Sequence, residues 1–223
     1  MLDLSSILRQ LAVSALPVLI AITFHEVSHG FVANKLGDPT ARLMGRLTLN
    51  PLAHIDPVGT ILLPFMLLII TNGQFVFGYA KPVPVNPINF KDYRKGMALT
   101  AAAGPATNLI LAILSLLILK GLIIPANLVV PPGISSSVLT PLTLMFTSSI
   151  VINVVLASFN LMPIPPLDGG RVLIGLLPHK HAVSYGRIEP FGFIIVIALI
   201  ATGLADFFVM PLVNIFLTLL KLF

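Results

Sequence analysis

The 223-residue sequence contains no cysteine, and only 9% of its residues are charged. Without cysteine the chain forms no disulfide framework, no iron–sulfur cluster and no thiol nucleophile, so a tightly held metal ion needs His, Asp or Glu ligands. An ordinary soluble domain has about 25% charged residues. So few charges cannot cover the surface of a water-soluble globule, which excludes that class of protein.

Apolar residues make up 57% of the sequence, and they occur in runs long enough to cross the hydrocarbon of a bilayer, which takes about 20 residues of helix. The net charge is +5. No basic cluster alternates with aromatic residues, so a nucleic acid is not an expected partner. The composition predicts an all-α polytopic membrane protein in a lipid bilayer.

Hydropathy predicts a single domain over residues 1–223, a helical bundle with about four to six membrane segments. One segment is expected to be re-entrant, and a short interfacial β element is expected beside it. The predicted parts are a span at 7–33, an interfacial and re-entrant region at 34–96, spans at 97–120 and 139–161, and C-terminal helices at 190–223. Within the last part, one helix is predicted at about 190–210, followed by a short apolar tail.

The region between the first two spans carries the irregular features. Alternation of apolar and polar residues from Leu43 to Leu49 predicts an edge strand or hairpin. Residues 58–72 are apolar but short for a span, and they contain Gly59 and Pro64, which favours a re-entrant segment. The Pro-rich loop 81–90 and segment 58–72 together are candidates for a gate over a site.

The distribution of basic residues predicts the topology. If segment 58–72 crossed the membrane fully, two groups of basic residues would face opposite sides, against the tendency of Lys and Arg to gather in the cytoplasm. If it re-enters, ten of the 13 lysines and arginines share the cytoplasmic side, and the N-terminus is external. These ten are Lys35, Arg42, Arg46, Lys81, Lys91, Arg94, Lys95, Arg171, Lys180 and Arg187.

The sequence HEVSH places His25, Glu26 and His29 late in the first predicted span. Positions i and i+4 share one helical face, so the two imidazoles can bind one Zn²⁺ while Glu26 takes a proton from water. Chance occurrences of this pattern are common in soluble helices. In an apolar helix, however, an isolated charge costs about 2.5–3.5 kcal/mol at the bilayer centre, which favours a function.

A catalytic zinc with two histidines needs a third protein ligand. Asp168 is the candidate, because it lies in PIPPLDGG, where prolines interrupt helical hydrogen bonding and Gly169 and Gly170 allow unusual backbone angles.

The remaining candidate residues have simpler interpretations. His54 and Asp56 are interpreted as hydrogen-bonded turn residues, with a second metal site as the alternative. Asp206 is interpreted as marking a helix end near water, and His179 and His181 as solvated loop residues.

Three motifs together resemble the site-2 protease family of intramembrane zinc metalloproteases: HEVSH, AGPATN and NLMPIPPLDGG, which span the core from about 15 to 175. The last matches that family's Asn-x-x-Pro-x-x-x-Leu-Asp-Gly motif. The resemblance implies that His25, His29 and Asp168 bind zinc and that Glu26 is the catalytic base. It also implies that Asn160 contacts the substrate or the developing oxyanion.

Asn108, in the second of these motifs, looks like another polar group lining the site. For Asn108 and Asn160 the alternative is a hydrogen bond to a neighbouring helix, which contributes about 0.6 kcal/mol on average.

The implied function is hydrolysis of peptide bonds within or next to transmembrane segments of membrane proteins, as in regulated intramembrane proteolysis. The chain looks like a compact bacterial member without PDZ or CBS domains, located in the plasma membrane, with its site opening toward the cytoplasm. Homo-oligomerisation is left open. The alternative is a metal-ion transporter or channel that uses the same His and Asp residues; an inactive scaffold is a third.

We also expect, as a hypothesis, that the alternating piece from Arg42 to Leu49 holds an unwound substrate as an added strand.

Overall fold

The computed structural model describes residues 4–70 and 78–221, and within these ranges the chain is helical with no β-strand. Short 3₁₀ and π turns join or extend the helices. The α-helices are α1 (Leu4–Lys35), α2 (Thr40–Leu43), α3 (Leu63–Ile70), α4 (Tyr93–Ile118), α5 (Ile124–Ala126), α6 (Pro132–Ile134), α7 (Thr140–Asn160), α8 (Asp168–Leu176), α9 (His179–Gly186), α10 (Glu189–Ala201) and α11 (Leu204–Lys221).

Three helical stretches in the described residues are long and apolar enough to cross a membrane: Leu11–Lys35, Tyr93–Ala126 and Pro132–Asn160. The second contains the predicted span at 97–120, and the third covers the predicted span at 139–161 except for its last residue. A fourth crossing results if α9 and α10, which meet at 64°, form one broken span. The predicted count of four to six segments was therefore too high, because the helices at Pro57–Leu67 and Leu204–Leu220 are shorter than a span.

The prediction of one helix over 190–210 was wrong. Helix α10 ends at Ala201, and Gly203 follows with φ of +74° and donates its N–H to the Ile200 carbonyl. A glycine in the left-handed region just past a helix end is a common terminator. Pro211 lies inside α11 and does not end it. The apolar run is thus divided into two helices at Gly203, a break that hydropathy alone does not detect.

The predicted β element is also absent from the described residues. Helix α2 ends at Leu43, and Gly45 follows with φ of +66°. Residues 46–50 form neither a helix nor a strand, and side-chain hydrogen bonds hold this segment. The His54 imidazole lies 2.8 Å from the Thr48 carbonyl, and Arg46 donates to the Lys81 carbonyl over 3.0 Å.

Segment 58–72 begins with a π turn at Pro57–Leu62 and continues as α3. Its last two residues lie outside the described residues. The re-entrant path and the external N-terminus stay predictions.

Helix α4 lies at the centre of the bundle, packed against α1, α7 and α8. The buried apolar core lies between α4, α7 and α11, with Leu116, Val154 and Val213 among its members. Large apolar side chains cover the outside of the same helices, for example Leu117 and Phe207. This distribution suits a surface that contacts lipid, where outward apolar residues carry no penalty.

Candidate metal centre

His25 and His29 lie one turn apart on α1, and their rings meet edge to face with centroids 4.7 Å apart. His25 Nδ1 is 2.6 Å from Oδ1 of Asn108, and His29 Nδ1 is 2.7 Å from the Thr100 carbonyl oxygen. The Asn108 amide nitrogen donates to the Ala21 carbonyl, which fixes its Oδ1 toward His25. Both imidazoles therefore carry their proton on Nδ1 and keep the Nε2 lone pair for a metal ion.

Asn108 is fully buried behind His25 and does not face open space, unlike the predicted position in the lining of the site. Its amide nitrogen also donates to Oδ1 of Asn153 over 2.8 Å, and Asn153 donates to the Ser149 carbonyl. Asn153 was not singled out from the sequence, because a lone Asn in an apolar helix gives no indication of its partner. The pair links α1, α4 and α7 directly behind a ligand.

Gly104 of α4 lies against both imidazoles. A Cβ at this position would fall 2.5 Å from His25 Cε1, 2.6 Å from His25 Nε2 and 2.6 Å from His29 Cε1. The absence of a side chain at Gly104 therefore lets α4 approach the two rings. This gives a physical role to the glycine of the AGPATN motif.

Asp168 reaches the site because α7 ends at Asn160 and α8 begins at Asp168, with the proline-rich turn between them. Gly169 and Gly170 are helical, so the expectation that they adopt unusual backbone angles was wrong. They are needed for close packing instead: a Cβ on either would overlap the backbone of residues 161–165. Gly192 of α10 packs in the same way on the Pro165 carbonyl.

Three ligand atoms converge at this point. Asp168 Oδ2 lies 3.1 Å from His25 Nε2 and 3.5 Å from His29 Nε2, and one ligand atom from each residue lies within 4.8 Å of the others. Asp168 Oδ2 is buried and has no hydrogen-bond donor. Two imidazole lone pairs and a carboxylate oxygen form a donor set that suits Zn²⁺ with one coordination position open. Within the described chain, no other group of His and acidic residues meets this geometry.

Glu26 lies beside the ligands, and its Oε2 accepts the Val83 N–H over 2.9 Å. The loop that carries Val83 is itself fixed, because buried Asp38 accepts the Asn86 N–H and the Asn89 side-chain amide, each over 2.7 Å. Thus the loop 81–90, predicted as a gate, is held by polar contacts on the Glu26 side. Asp38 was not singled out from the sequence, although Asp followed by Pro-Thr is a local signal for a turn residue.

Two cavities, of about 500 and 530 Å³, open on either side of His25 and Glu26. The first extends toward Thr100, Asp168 and Arg171, and the second extends toward α11. Six residues line both: His25, Glu26, Tyr79, Ala80, Asn160 and Leu167. Asn160 is thus at the wall of both cavities, and its contact with a substrate stays a prediction. One of its amide N–H groups binds the Leu156 carbonyl, and the amide has a second N–H.

The other histidines and acids lie away from the three ligands. His54 and Asp56 hold local turns: His54 binds the Thr48 carbonyl, and Asp56 accepts the N–H groups of the following turn. The predicted turn roles are confirmed. His179 and His181 are exposed, as predicted, but they lie on helix α9 and not in a loop.

The known proteins similar to this chain are named as zinc metalloproteases, which agrees with the donor set of the site. Residues 132–203 match the model of Peptidase family M50. YwhC of Bacillus subtilis strain 168, named as a candidate zinc metalloprotease, is 39% identical over 197 residues, 88% of this chain and 84% of that protein. Rip2 of Mycolicibacterium smegmatis, named likewise, is 31% identical over 82% of this chain and 64% of that protein. Rip2 of Mycobacterium tuberculosis is 31% identical over 77% of this chain and 59% of that protein.

No solved structure matches the chain. The identity with YwhC over most of both lengths, together with the matched family model, decides the assignment. The chain therefore belongs to peptidase family M50, the site-2 protease family, and is a multi-pass membrane zinc metalloendopeptidase.

Proposed function

We propose that this protease hydrolyses peptide bonds within or next to the transmembrane segments of other membrane proteins. The observation that carries the proposal is the position of the site. Its two histidines and Glu26 lie on a membrane-length apolar helix, and its cavities are bounded by further apolar helices. A peptide that reaches this site must share the bilayer with the enzyme or lie at its surface.

In this proposal His25, His29 and Asp168 bind the zinc ion. The ion supplies Lewis acidity, which polarises a carbonyl group and lowers the pKa of water. Asn108 and the Thr100 carbonyl orient the two imidazoles through their Nδ1 atoms. The buried carboxylate of Asp168 balances part of the charge of the ion.

Glu26 is the general base and then the general acid. Its carboxylate takes a proton from the attacking water and delivers it to the nitrogen of the departing amine. The Val83 N–H keeps the carboxylate next to the ligands in the resting arrangement. Asn160 lines the same cavities, and in this proposal the second N–H of its amide stabilises the oxyanion that forms at the scissile carbonyl.

The proposed setting is the plasma membrane, with the site open to the cytoplasm. The support is the charge distribution: basic residues flank the ends of the helices from which the ligands project. Arg171 lines the first cavity and follows Asp168 by three residues. Such a site would suit regulated cleavage of a membrane-bound precursor.

The function is tested by comparing purified wild type with Glu26→Gln and Asn160→Ala on a model single-span substrate in liposomes. We expect equal zinc content in all three proteins. Cleavage should be abolished in Glu26→Gln, and its kcat should fall about 10²–10³-fold in Asn160→Ala, the usual effect of removing one oxyanion donor. Zinc flux across the liposomes that is equal in wild type and Glu26→Gln, without cleavage, would instead identify a transporter.

A further inference from the structure

A chain of hydrogen bonds runs from His25 away from the candidate metal centre and into the bundle. His25 Nδ1 is 2.6 Å from Oδ1 of Asn108, and the Asn108 amide nitrogen donates to Oδ1 of Asn153 over 2.8 Å. The Asn153 amide nitrogen donates in turn to the Ser149 carbonyl over 2.8 Å. Ser149 Oγ lies 2.8 Å from Ser115 Oγ on α4. The proposed reaction uses none of this chain beyond Asn108.

The direction of each bond in the chain is set at its far end. A backbone carbonyl only accepts hydrogen bonds, so the Ser149 carbonyl requires the NH₂ group of Asn153. Oδ1 of Asn153 then faces Asn108 and requires its NH₂ group. Oδ1 of Asn108 is thereby turned toward His25, which donates from Nδ1 and keeps the lone pair on Nε2. Reversal of either amide would bring two donors or two acceptors face to face.

Asn153 holds Asn108 from a different helix than His25 does. The Ala21 carbonyl favours the same orientation of the Asn108 amide, but that contact is longer, at 3.3 Å, and it comes from α1, the helix that also carries His25. Asn153 supplies the shorter contact from α7. Both asparagines are fully buried, so water does not replace either partner. The amide behind His25 is therefore fixed between two helices.

We propose that Asn153 is a positioning residue of the metal centre, which acts through Asn108 to fix the direction in which His25 presents Nε2. Among the described residues that line the two cavities, Asn153 is absent, so it acts without touching a substrate there. This inference rests on the proposed function, because it takes His25 as a zinc ligand.

The test measures the zinc affinity of the full-length protein by competition with a chelator, independently of cleavage. In Asn153→Leu the affinity should fall by about 3–10-fold, less than the 10–100-fold usual for a residue that contacts a metal-binding histidine directly. Asn153→Ser retains a donor for the Ser149 carbonyl but is too short to accept from Asn108, and it should show the same loss. The double variant Asn108→Leu/Asn153→Leu should bind zinc no more weakly than Asn108→Leu, because the two residues act in series.

Ser115→Ala and Ser149→Ala are the matched controls. Each removes a polar contact between the same two helices, α4 and α7, but leaves the Ser149 carbonyl in place. Their zinc affinity should equal that of wild type. Co²⁺ gives a second readout, because its visible absorption depends on the geometry of its ligands. The absorption bands of the Co²⁺-loaded protein should shift in Asn153→Leu and stay unchanged in both serine variants.

Four results would overturn the positioning role of Asn153. These are a wild-type affinity in both Asn153 variants, an equal loss in the serine variants, a further loss in the double variant, and failure of both Asn153 variants to fold, which indicates a role in packing alone. If wild type binds no zinc, the proposed function fails and this inference fails with it. Zinc binding that changes as expected in a protein that cleaves no membrane substrate would overturn the proposed function and leave the positioning role intact.

Discussion

Two sides of the active-site cavity are built differently. On one side, which we call the fixed wall, α1, α4 and the loop 81–90 give each catalytic polar group a partner: Asn108 for His25, the Thr100 carbonyl for His29 and the Val83 N–H for Glu26. On the other side, the cover wall, α10 and α11 present mainly apolar residues such as Val196 and Val209.

The difference separates two tasks. Zinc binding and proton transfer need groups held within fractions of an ångström, and the fixed wall supplies hydrogen bonds that set both tautomer and direction. Recognition of varied peptides needs a surface that tolerates different side chains. The mainly apolar cover wall meets that need.

The most severe test of the fixed wall is Gly104→Val. Its Cβ would overlap both imidazoles, which cannot retreat because their Nδ1 atoms are held. We expect purified protein without bound zinc and with cleavage no faster than that of Glu26→Gln. Zinc is measured by metal analysis of the folded, monodisperse fraction. Gly121→Val is the control, since a Cβ at Gly121 has no atom within 4 Å; normal zinc content in Gly104→Val would contradict the proposed packing role.

The substitution Asn108→Leu should disturb the fixed wall less than Gly104→Val does. It removes the acceptor of His25 Nδ1 and leaves Asn153 without a donor. We expect zinc affinity to fall by about 10–100-fold, as for other residues that orient metal-binding histidines, measured by competition with a chelator. Asn127→Leu changes an asparagine that bonds only near its own turn and Ser135, and it should leave the affinity unchanged. Equal affinities in wild type and Asn108→Leu would show that His25 needs no orienting partner.

The smallest expected effect concerns Asp38, which holds the loop 81–90 next to Glu26 through hydrogen bonds from Asn86 and Asn89. Burial opposes ionisation of Asp38, but hydrogen bonds from Thr40, Asn89 and Asn86 outweigh it and hold the pKa of this carboxyl below its usual value. A lowered pKa in the folded state stabilises the protein above the unfolded pKa of about 3.9, and this contribution is lost as the pH falls through the folded pKa.

We expect Asp38→Asn to lose about 1.5–3 kcal/mol near neutral pH, the usual contribution of hydrogen bonds to a charged group. The difference in unfolding free energy between the variant and wild type should shrink as the pH is lowered below about 4. Thermal or denaturant unfolding in detergent measures both. Asp92→Asn makes the same exchange at an exposed helix N-cap, where Asn caps as well as Asp, and should have little effect. A pH-independent difference would contradict the ionised state of Asp38.

The sequence was sufficient to predict that His25, His29 and Asp168 come together, because each motif is local. The i, i+4 spacing of His25 and His29 defines a helical face, and the prolines before Asp168 force the end of α7. Apolar length likewise located the three long spans.

The features that the sequence did not predict depend on tertiary contacts or on single backbone angles. The buried position of Asn108 depends on α4 lying behind α1, and the break at Gly203 depends on one backbone angle inside an apolar run. The alternation near Leu47 predicted a strand, but the described residues contain no neighbouring strand with which it could pair. Asp38 was missed because its partners are 48 and 51 residues away in the sequence.

The close packing of Gly192 on the Pro165 carbonyl joins the cover wall to the turn that leads into Asp168. With no clearance between them, helix α10 cannot swing inward without pushing on the segment that carries a zinc ligand. A substitution that adds a side chain at Gly192 would therefore displace the segment that carries Asp168.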